Sequence, residues 1–498
     1  MATTTKEYEV KKKSNLKPGK SLYEDTEENI AWWKIWKHRR YQIAVLALFG
    51  FFNIYSLRTN LSIAIVAMTE NRSVLLENGT TIYEQEFAWS STQQGVILSS
   101  FFYGYITTQV LGGFVSERYG GQKFFGLGIF ITAALTLLTP VVAKYSYEGL
   151  ITLRVIEGIF EGVTYPSIHA VWARWAPPLE RSRLTTIGYS GSYIGTVAAM
   201  TIGGVIAEEW GWESIFYFFG AIGVFWFICW WILVYENPNE DKFISQRELK
   251  YILTSLEKEN EKKLNVKHPW KKILTSLPVW AIIFSHFCEN WGFYTLLTQL
   301  PRFMREMLNF DISSSGILSA LPYVAMSICT VLSGFLADLL LSKNWLTTTQ
   351  VRKSFNCSAF LSQTVFMLAA GFLLERVGST ICLTFAVGLG GLALSGFGVN
   401  YLDIGPSHAS VIMGISNTFA TIPGMVSPTL TGILVPNNTE AEWRNIFYIS
   451  AGIYLIGCTF YGTCASGELQ EWSWDAKMKR EKGVENEGYV PDENDKSV

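Results

Sequence analysis

The fold is decided by the stretch from Leu153 to Arg183, LRVIEGIFEGVTYPSIHAVWARWAPPLERSR. Three charged residues, Arg154, Glu157 and Glu161, stand in it among apolar, aromatic and small residues. Their spacing of i, i+3 and i+7 predicts that they share one face of a helix. A charge in the hydrocarbon of a bilayer costs at least about 2.5–3.5 kcal/mol. If this helix spans a membrane, its charged face must therefore look into a cavity.

The charged face of this helix has two interpretations. Ionisable residues at membrane depth are by default part of a substrate or proton site, which makes the helix one wall of a transport pathway. The alternative is that Arg154 forms a structural ion pair with Glu157 or Glu161. That pairing leaves one carboxylate over, and it does not explain Arg58, a second arginine within the first hydrophobic stretch.

The composition of the chain indicates a membrane protein. Of its 498 residues, 49% are hydrophobic and only 16% are charged, and the mean hydropathy is +0.21. The charges fall in short blocks between apolar stretches of about 20 residues, the length that crosses a hydrocarbon core. The sequence therefore predicts an all-α polytopic membrane protein with about twelve transmembrane helices. The predicted spans are 42–68, 92–114, 124–143, 149–172, 185–207, 214–235, 278–300, 314–336, 354–374, 379–400, 408–434 and 445–465.

The distribution of charge in the loops predicts the orientation. Loops on one side carry the Lys and Arg residues and loops on the other side are poor in them, so both termini are expected to be cytoplasmic. The sequons at Asn71, Asn78 and Asn437 fall in loops of the opposite side, which makes them glycosylation candidates. The lipid bilayer is the partner that the pattern requires. We expect no nucleic-acid partner and no obligate protein partner.

An internal repeat predicts two halves. GGFVSERYGGQK (Gly112 to Lys123) follows the second span, and SGFLADLLLSKN (Ser333 to Asn344) follows the eighth. Each has glycine and then an acidic and a basic residue, which favours two pseudo-symmetric six-helix bundles with a substrate site where they meet. The predicted organisation is a cytoplasmic tail at 1–40, bundles at 41–235 and 278–466, a cytoplasmic linker at 236–277 and a cytoplasmic tail at 467–498.

Four longer strings carry a resemblance to a known family. They are NIYSLRTNLSIAIVAM (Asn53 to Met68), EGVTYPSIHAVWARWAPPLERSR (Glu161 to Arg183), HFCENWGFYTLL (His286 to Leu297) and GISNTFATIPGMVSPTLTG (Gly414 to Gly432). The two repeated loop strings look like the signature of the major facilitator superfamily. The four longer strings are similar to its anion symporter family, which includes sialin, the vesicular glutamate transporters and the type I sodium–phosphate cotransporters. The resemblance implies the major facilitator fold.

Arg58 and Glu161 are the leading candidates for substrate binding and ion coupling. A guanidinium offers a bidentate fork to a carboxylate or phosphate and always stays charged, so Arg58, with Tyr55 nearby and Arg154 opposite, suits an anion. The alternative is a structural partner for Glu161 or Glu157. When an anion occupies the arginine, Glu161 loses its stabilising charge and should take up a proton. The resemblance implies the same roles, with Arg58 as the anchor and Glu157 in support.

Five further residues are weaker candidates. His169 and His286 could relay protons, although a packing role is equally compatible with the sequence. In HFCENW the position at which the vesicular glutamate transporters carry an arginine is Glu289 here, which disfavours a dicarboxylate and adds a candidate cation ligand. Asn290 is its neutral hydrogen-bonding neighbour. Asn417 lies in a proline-rich span that is expected to bend, and it could reach the substrate.

The sequence thus predicts a secondary active transporter of a small anion, coupled to H⁺ or Na⁺ and without another cofactor. Phosphate, a sugar acid such as sialic acid and an acidic amino acid all stay open. The alternatives are a sodium-dependent phosphate cotransporter specifically, and a facilitative anion channel. We expect no enzyme, because no nucleophile–base pair or metal-ligand cluster is visible. Both a plasma-membrane and a lysosomal or vesicular location fit.

Overall fold

The computed structural model describes residues 37–75, 81–177, 180–262 and 269–473. The predictions for most of the N-terminal tail, for the sequon at Asn78 and for the chain after residue 473 lie outside the described residues.

Seven helices form the N-terminal part of the chain within the described residues. They are α1 (Arg39–Met68), α2 (Ser91–Tyr119), α3 (Gly121–Tyr145), α4 (Tyr147–Glu161), α5 (Thr164–Trp175), α6 (Arg181–Trp210) and α7 (Trp212–Leu233). Two antiparallel strands, β1 (Asn71–Leu75) and β2 (Thr81–Gln85), lie in the loop after α1, with Asn71 paired to Gln85. We call this end of the helices the strand end.

Six long helices form the C-terminal part, after a linker that is itself partly helical. The linker contains α8 (Gln246–Lys262) and α9 (Trp270–Leu274), and we call its end of the molecule the linker end. The C-terminal helices are α10 (Leu277–Arg302), which continues into a π-helical turn (Phe303–Met307), α11 (Ile312–Ser342), α12 (Thr348–Leu373), α13 (Arg376–Ile404), α14 (Ala409–Leu434) and α15 (Glu440–Cys464).

The predicted all-α membrane fold is confirmed, and the small sheet adds only a loop. Among the described residues, eight helices are long and apolar enough to cross a membrane, namely α1, α3, most of α6, α7, α11, α12, α13 and α15. The other predicted spans coincide with α2, with α4 plus α5, with α10 and with α14. Helices α4 and α5 have 15 and 12 residues, so neither is long enough to cross a membrane alone.

The span predicted at 149–172 is two helices rather than one. Helix α4 ends at Glu161 and α5 begins at Thr164. Pro166 in the first turn of α5 has no N–H to donate to a preceding carbonyl, and Gly162 at the junction imposes no side chain. The break falls directly after Glu161, so α4 ends at the leading candidate for ion coupling.

Two glycines bring α2 and α4 into backbone contact. A Cβ on Gly104 would lie 1.9 Å from the Val155 carbonyl oxygen, and one on Gly158 would lie 2.0 Å from that of Phe101. Neither position can hold a side chain without moving a helix. The close approach places the rings of α2 beside the charged face of α4.

The N-terminal and C-terminal helices meet at the strand end in two antiparallel pairs. In the pair α2 and α14, Ser99 Oγ lies 2.5 Å from Thr429 Oγ1. In the pair α6 and α11, Ser313 N donates to Glu208 Oε2 at 3.0 Å. These contacts hold the strand ends of the two sets of helices together.

Helix α8 is tied to the N-terminal helices by an ionic network that the sequence did not predict. Arg39 Nε donates to Asp241 Oδ2 at 2.7 Å, and Arg40 Nη1 donates to Glu248 Oε1 at 3.0 Å. Arg40 Nε also donates to Glu180 Oε2 at 2.9 Å. Burial alone would raise the pKa of Glu180, but the hydrogen bond and charge of Arg40 hold it below its ordinary value. The linker residues Asp241 and Glu248 are therefore held against the N-terminal helices.

Candidate functional site

Arg58 and Glu161 form a buried ion pair between α1 and α4. Their side chains are 3% and 1% exposed. Arg58 Nε donates to Glu161 Oε1 at 2.9 Å, and Arg58 Nη2 donates to the same oxygen. Because both donors use one oxygen, Glu161 Oε2 has no hydrogen-bond partner among the described residues. The pair is neutral, but it is not the saturated fork-to-fork arrangement that an arginine and a carboxylate can form.

Three aromatic rings surround the Arg58 guanidinium. Its Cζ lies 4.9 Å from the ring centroid of Tyr55, 5.0 Å from that of Phe101 and 4.8 Å from that of Tyr105. These are cation–π distances, and such contacts strengthen where water is excluded. Tyr55 was predicted from the sequence, and the other two residues were not. Their i, i+4 spacing within FFYGYITT places them on one face of α2 and was the available signal.

Arg154 forms a second ion pair, within α4. Its Nη1 donates to Glu157 Oε2 at 2.6 Å, and Thr136 Oγ1 on α3 donates to Glu157 Oε1 at 3.2 Å. Arg154 also lies 5.3 Å from the Phe101 ring centroid, so one ring contacts both arginines. Its Nη2 reaches the Arg58 carbonyl oxygen at 3.5 Å. The two ion pairs are therefore adjacent, and the Phe101 ring contacts the arginine of each.

A small cavity lies beside both arginines. Its volume is about 10 Å³, near the smallest volume that can hold one water molecule. It is lined by Arg58, Thr59, Ser62, Leu98, Phe101, Phe102, Arg154, Leu297 and Thr298. The first seven belong to α1, α2 and α4, and the last two belong to α10. The cavity is thus enclosed between the N-terminal and C-terminal helices.

Several polar atoms at this cavity have unused bonding capacity. Thr59 Oγ1 and Arg154 Nε have no hydrogen-bond partner among the described residues, although both are buried. A buried polar group without a hydrogen bond costs about 1–3 kcal/mol, and a charged group costs more. A donor set of two guanidiniums and hydroxyls suits a small anion with several acceptor oxygens.

The two candidate histidines lie apart from the arginines. His169 on α5 is exposed, and its Nε2 is 2.7 Å from Tyr189 Oη on α6. His286 on α10 has its Nδ1 2.8 Å from Ser416 Oγ on α14. Each is hydrogen-bonded to a hydroxyl between two helices. Both a packing role and a proton relay are compatible with such a hydrogen bond, so the proton-relay role stays a prediction.

The two candidate asparagines bond between helices. Asn290 Nδ2 donates to the Ala420 carbonyl oxygen at 2.9 Å, which joins α10 to α14. Asn417 Nδ2 donates to Gln109 Oε1 at 3.0 Å, and Gln109 Nε2 donates to Thr421 Oγ1 at 3.0 Å. Gln109, which was not among the predicted residues, therefore links α2 to α14 by hydrogen bonds. The residue lies two turns after Phe101 on the same helix.

Glu289 on α10 is buried, at 4% exposure, in a separate polar cluster. Its Oε1 accepts a hydrogen bond from Gln363 Nε2 on α12, at 3.3 Å. The structure brings together Arg58, Arg154, Glu157, Glu161 and Tyr55, and it does not bring Glu289 into that set.

The described sequons lie in strand-end loops. Asn71 begins β1. Asn437 is exposed after α14, where its Nδ2 donates to Glu442 Oε1 at 3.0 Å.

The sequence of this chain is similar to those of known transporters. The family model of the Major Facilitator Superfamily matches residues 43–402. Human sialin is 45% identical to this chain over 450 residues, which cover 87% of this chain and 90% of sialin. Vesicular glutamate transporter 1 of Xenopus tropicalis is 40% identical over 461 residues, which cover 92% of this chain and 80% of that protein.

Solved structures agree on the fold. A bacterial homologue of the human lysosomal transporter Spinster, in an inward-facing and occupied conformation, superposes with a TM-score of 0.66 at 14% identity, covering 84% of this chain and 95% of that one. A D-xylose–proton symporter superposes with a TM-score of 0.64 at 14% identity, covering 86% of this chain and all of that one.

Proposed function

The chain belongs to the Major Facilitator Superfamily, and from that premise we propose that it is a secondary active transporter of a small anion, coupled to H⁺ or Na⁺ by alternating access. One observation carries the proposal: two adjacent arginine–carboxylate pairs are buried at a cavity between the N-terminal and C-terminal helices. The relatives named above include a transporter of glutamate, which is itself a small anion.

The arrangement of Arg58 supports anion binding that competes with Glu161. The guanidinium already holds one carboxylate oxygen, and a substrate carboxylate or phosphate presents the same kind of acceptor. When the substrate takes the donors, Glu161 is left as a buried charge without its partner. Such a charge is costly, so Glu161 binds a cation at the same step. Substrate and cation then cross together.

The same proposal includes the moving parts, the orientation and the location of the protein. The bundles at 41–235 and 278–466 rock about the cavity, with the linker 236–277 between them. The linker end and both termini face the cytoplasm, and the strand end, with Asn71, Asn78 and Asn437 as glycosylation sites, faces the outside or the lumen. The membrane is the plasma membrane or a lysosomal or vesicular one. The protein performs no catalysis and needs no cofactor beyond the coupling ion.

An uptake assay in proteoliposomes tests the function. Purified protein is reconstituted and supplied with labelled phosphate, sialic acid, aspartate or glutamate, each with a pH gradient or a Na⁺ gradient. We expect one anion to accumulate above its outside concentration with one of the two gradients. Selective uptake driven by Na⁺ with phosphate alone would favour the phosphate cotransporter. Entry that only equilibrates the anion, whatever the gradient, would support a channel and contradict the proposal.

A cysteine pair across the strand end tests alternating access. Ser99 Oγ and Thr429 Oγ1 are 2.5 Å apart between α2 and α14, so Ser99→Cys with Thr429→Cys should form a disulfide upon oxidation. Because the strand end must open during transport, we expect oxidation to stop uptake and a reductant to restore it. The readout is initial uptake before oxidation, after oxidation and after reduction.

The single variants Ser99→Cys and Thr429→Cys are the matched controls, since each adds one thiol to the seven native cysteines. Neither should respond to the oxidant. Full uptake by a cross-linked double variant would mean that this end does not open.

A further inference from the structure

Glu289 is a buried carboxylate that the Arg58 and Arg154 pairs leave unexplained. It is 4% exposed and its Oε2 has no hydrogen-bond partner among the described residues. Its Oε1 accepts one hydrogen bond, at 3.3 Å, from the neutral amide of Gln363. An ionised carboxylate with so little compensation is costly to bury, so it is neutralised by something else.

No positively charged side chain among the described residues supplies the neutralisation. The titratable side chains that interact with Glu289 within the described chain are Cys288 on α10, Tyr454 on α15 and Tyr193 on α6. All three are neutral or become negative upon titration. The surroundings of Glu289 therefore differ from those of Glu157 and Glu161, each of which has an arginine.

The cluster around Glu289 offers further oxygen ligands. Gln363 Oε1 is buried without a hydrogen-bond partner, and Gln363 Nε2 lies 3.3 Å from Tyr454 Oη. A Cβ on Gly390 of α13 would lie 2.6 Å from Glu289 Oε1 and 2.5 Å from Gln363 Nε2, so the absence of a side chain there keeps the space open. Carboxylate and amide oxygens are the ligands that hard cations prefer, and a buried carboxylate can instead bind a proton.

We propose that Glu289, with Gln363 and Tyr454, forms a second site for a monovalent cation, H⁺ or Na⁺, within the C-terminal helices. The proposal rests on the proposed transport function and adds one coupled cation to the one at Glu161. In the proton case Glu289 is protonated, and in the Na⁺ case the carboxylate binds the ion. Both forms are neutral.

Helix α10 links this site to the anion cavity. The helix carries Glu289 and also Leu297 and Thr298, which line the cavity beside Arg58 and Arg154. Cation binding at Glu289 removes a repelling charge from α10. The cavity can then bind an anion while Glu289 is neutral. The negative charges of the anion and of the Glu289 carboxylate are therefore not buried at the same time.

Thermal unfolding of the purified full-length protein tests the site without any transport. The variant is Glu289→Gln, which keeps the shape and is permanently neutral. The melting temperature is measured against pH in choline buffer, and against Na⁺ at fixed alkaline pH. We expect the wild-type protein to lose about 2–4 °C or more when its cation is withdrawn, and Glu289→Gln to keep the higher value. The pH arm identifies H⁺ as the cation, and the Na⁺ arm identifies Na⁺.

Accumulation in proteoliposomes gives the second readout. At zero membrane potential, each coupled cation multiplies the final anion ratio by ten for a tenfold cation gradient. We therefore expect Glu289→Gln to accumulate about 10-fold less anion than the wild type while it still accumulates some. A second variant, Gln363→Met, removes the amide ligand at similar volume and should shift the half-maximal cation concentration upward.

The two readouts separate the proposals. If the wild-type protein transports nothing, the proposed function fails, and the melting curves still decide whether Glu289 binds a cation. Identical cation dependence of the melting temperature in wild type, Glu289→Gln and Gln363→Met would overturn the second site.

Discussion

Replacing Arg58 by alanine should abolish anion uptake. The guanidinium is the charged fork at the cavity, and removing one partner of a buried hydrogen-bonded charge pair costs about 2–5 kcal/mol. That loss corresponds to about 30-fold to 4,000-fold in affinity. We expect no uptake above empty liposomes at substrate concentrations that saturate the wild type. Initial rates across a concentration series measure the effect.

The folding of this variant needs its own control, because Arg58→Ala leaves Glu161 buried and unpaired. The double variant Arg58→Ala with Glu161→Gln removes both charges, so it should be recovered in larger amounts and should still not bind the anion. Arg58→Lys keeps the charge without the fork and should bind weakly. Lys250→Ala, on an exposed face of α8, is the matched surface variant and should transport normally. Normal uptake by the double variant would remove Arg58 from the anion site.

The sequence could predict the depth of these groups, because charge in an apolar span is visible in one dimension. Arg58, Arg154, Glu157 and Glu161 were all placed on buried helix faces, and the structure buries all four. The pairing was not predictable. Arg154 could reach either glutamate by spacing alone, and only the packing of α1 against α4 assigns Glu161 to Arg58.

Contacts between distant helices were the larger gap. The ring of Phe101 touches both arginines only because Gly104 and Gly158 let the backbones of α2 and α4 approach. Gln109 clamps α2 to α14 across 308 residues of sequence from Asn417. Glycines and amides of this kind are common in membrane helices, so their partners cannot be read from spacing.

The linker illustrates a different limit. Its Lys and Arg residues predicted a cytoplasmic loop, because these residues are enriched in the loops on that side of a membrane. In the structure Glu248 of α8 contacts Arg40, so part of that charge holds the linker to the N-terminal helices. Opposite charges far apart in sequence carry no signal of their pairing until the fold is known.

Replacing Glu161 by glutamine should uncouple transport from the cation gradient and leave exchange. Glutamine is isosteric and its amide oxygen can still accept from Arg58, so the anion site keeps its shape. The neutral side chain can no longer bind the coupled cation. Without substrate, Arg58 is then a buried charge with no counterion, which opposes reorientation of the empty protein. Only the anion-loaded form should cross.

Two assays on the same proteoliposomes measure this result. Counterflow of labelled anion into liposomes loaded with unlabelled anion should persist, whereas net gradient-driven uptake into anion-free liposomes should be lost because the empty protein does not return. Glu209→Gln, an exposed glutamate at the end of α6, is the matched variant and should keep both activities. Wild-type accumulation by Glu161→Gln would assign coupling elsewhere, with Glu157 or Glu289 as the remaining buried carboxylates. Loss of both activities would make Glu161 a structural partner of Arg58, because a purely structural role cannot spare exchange.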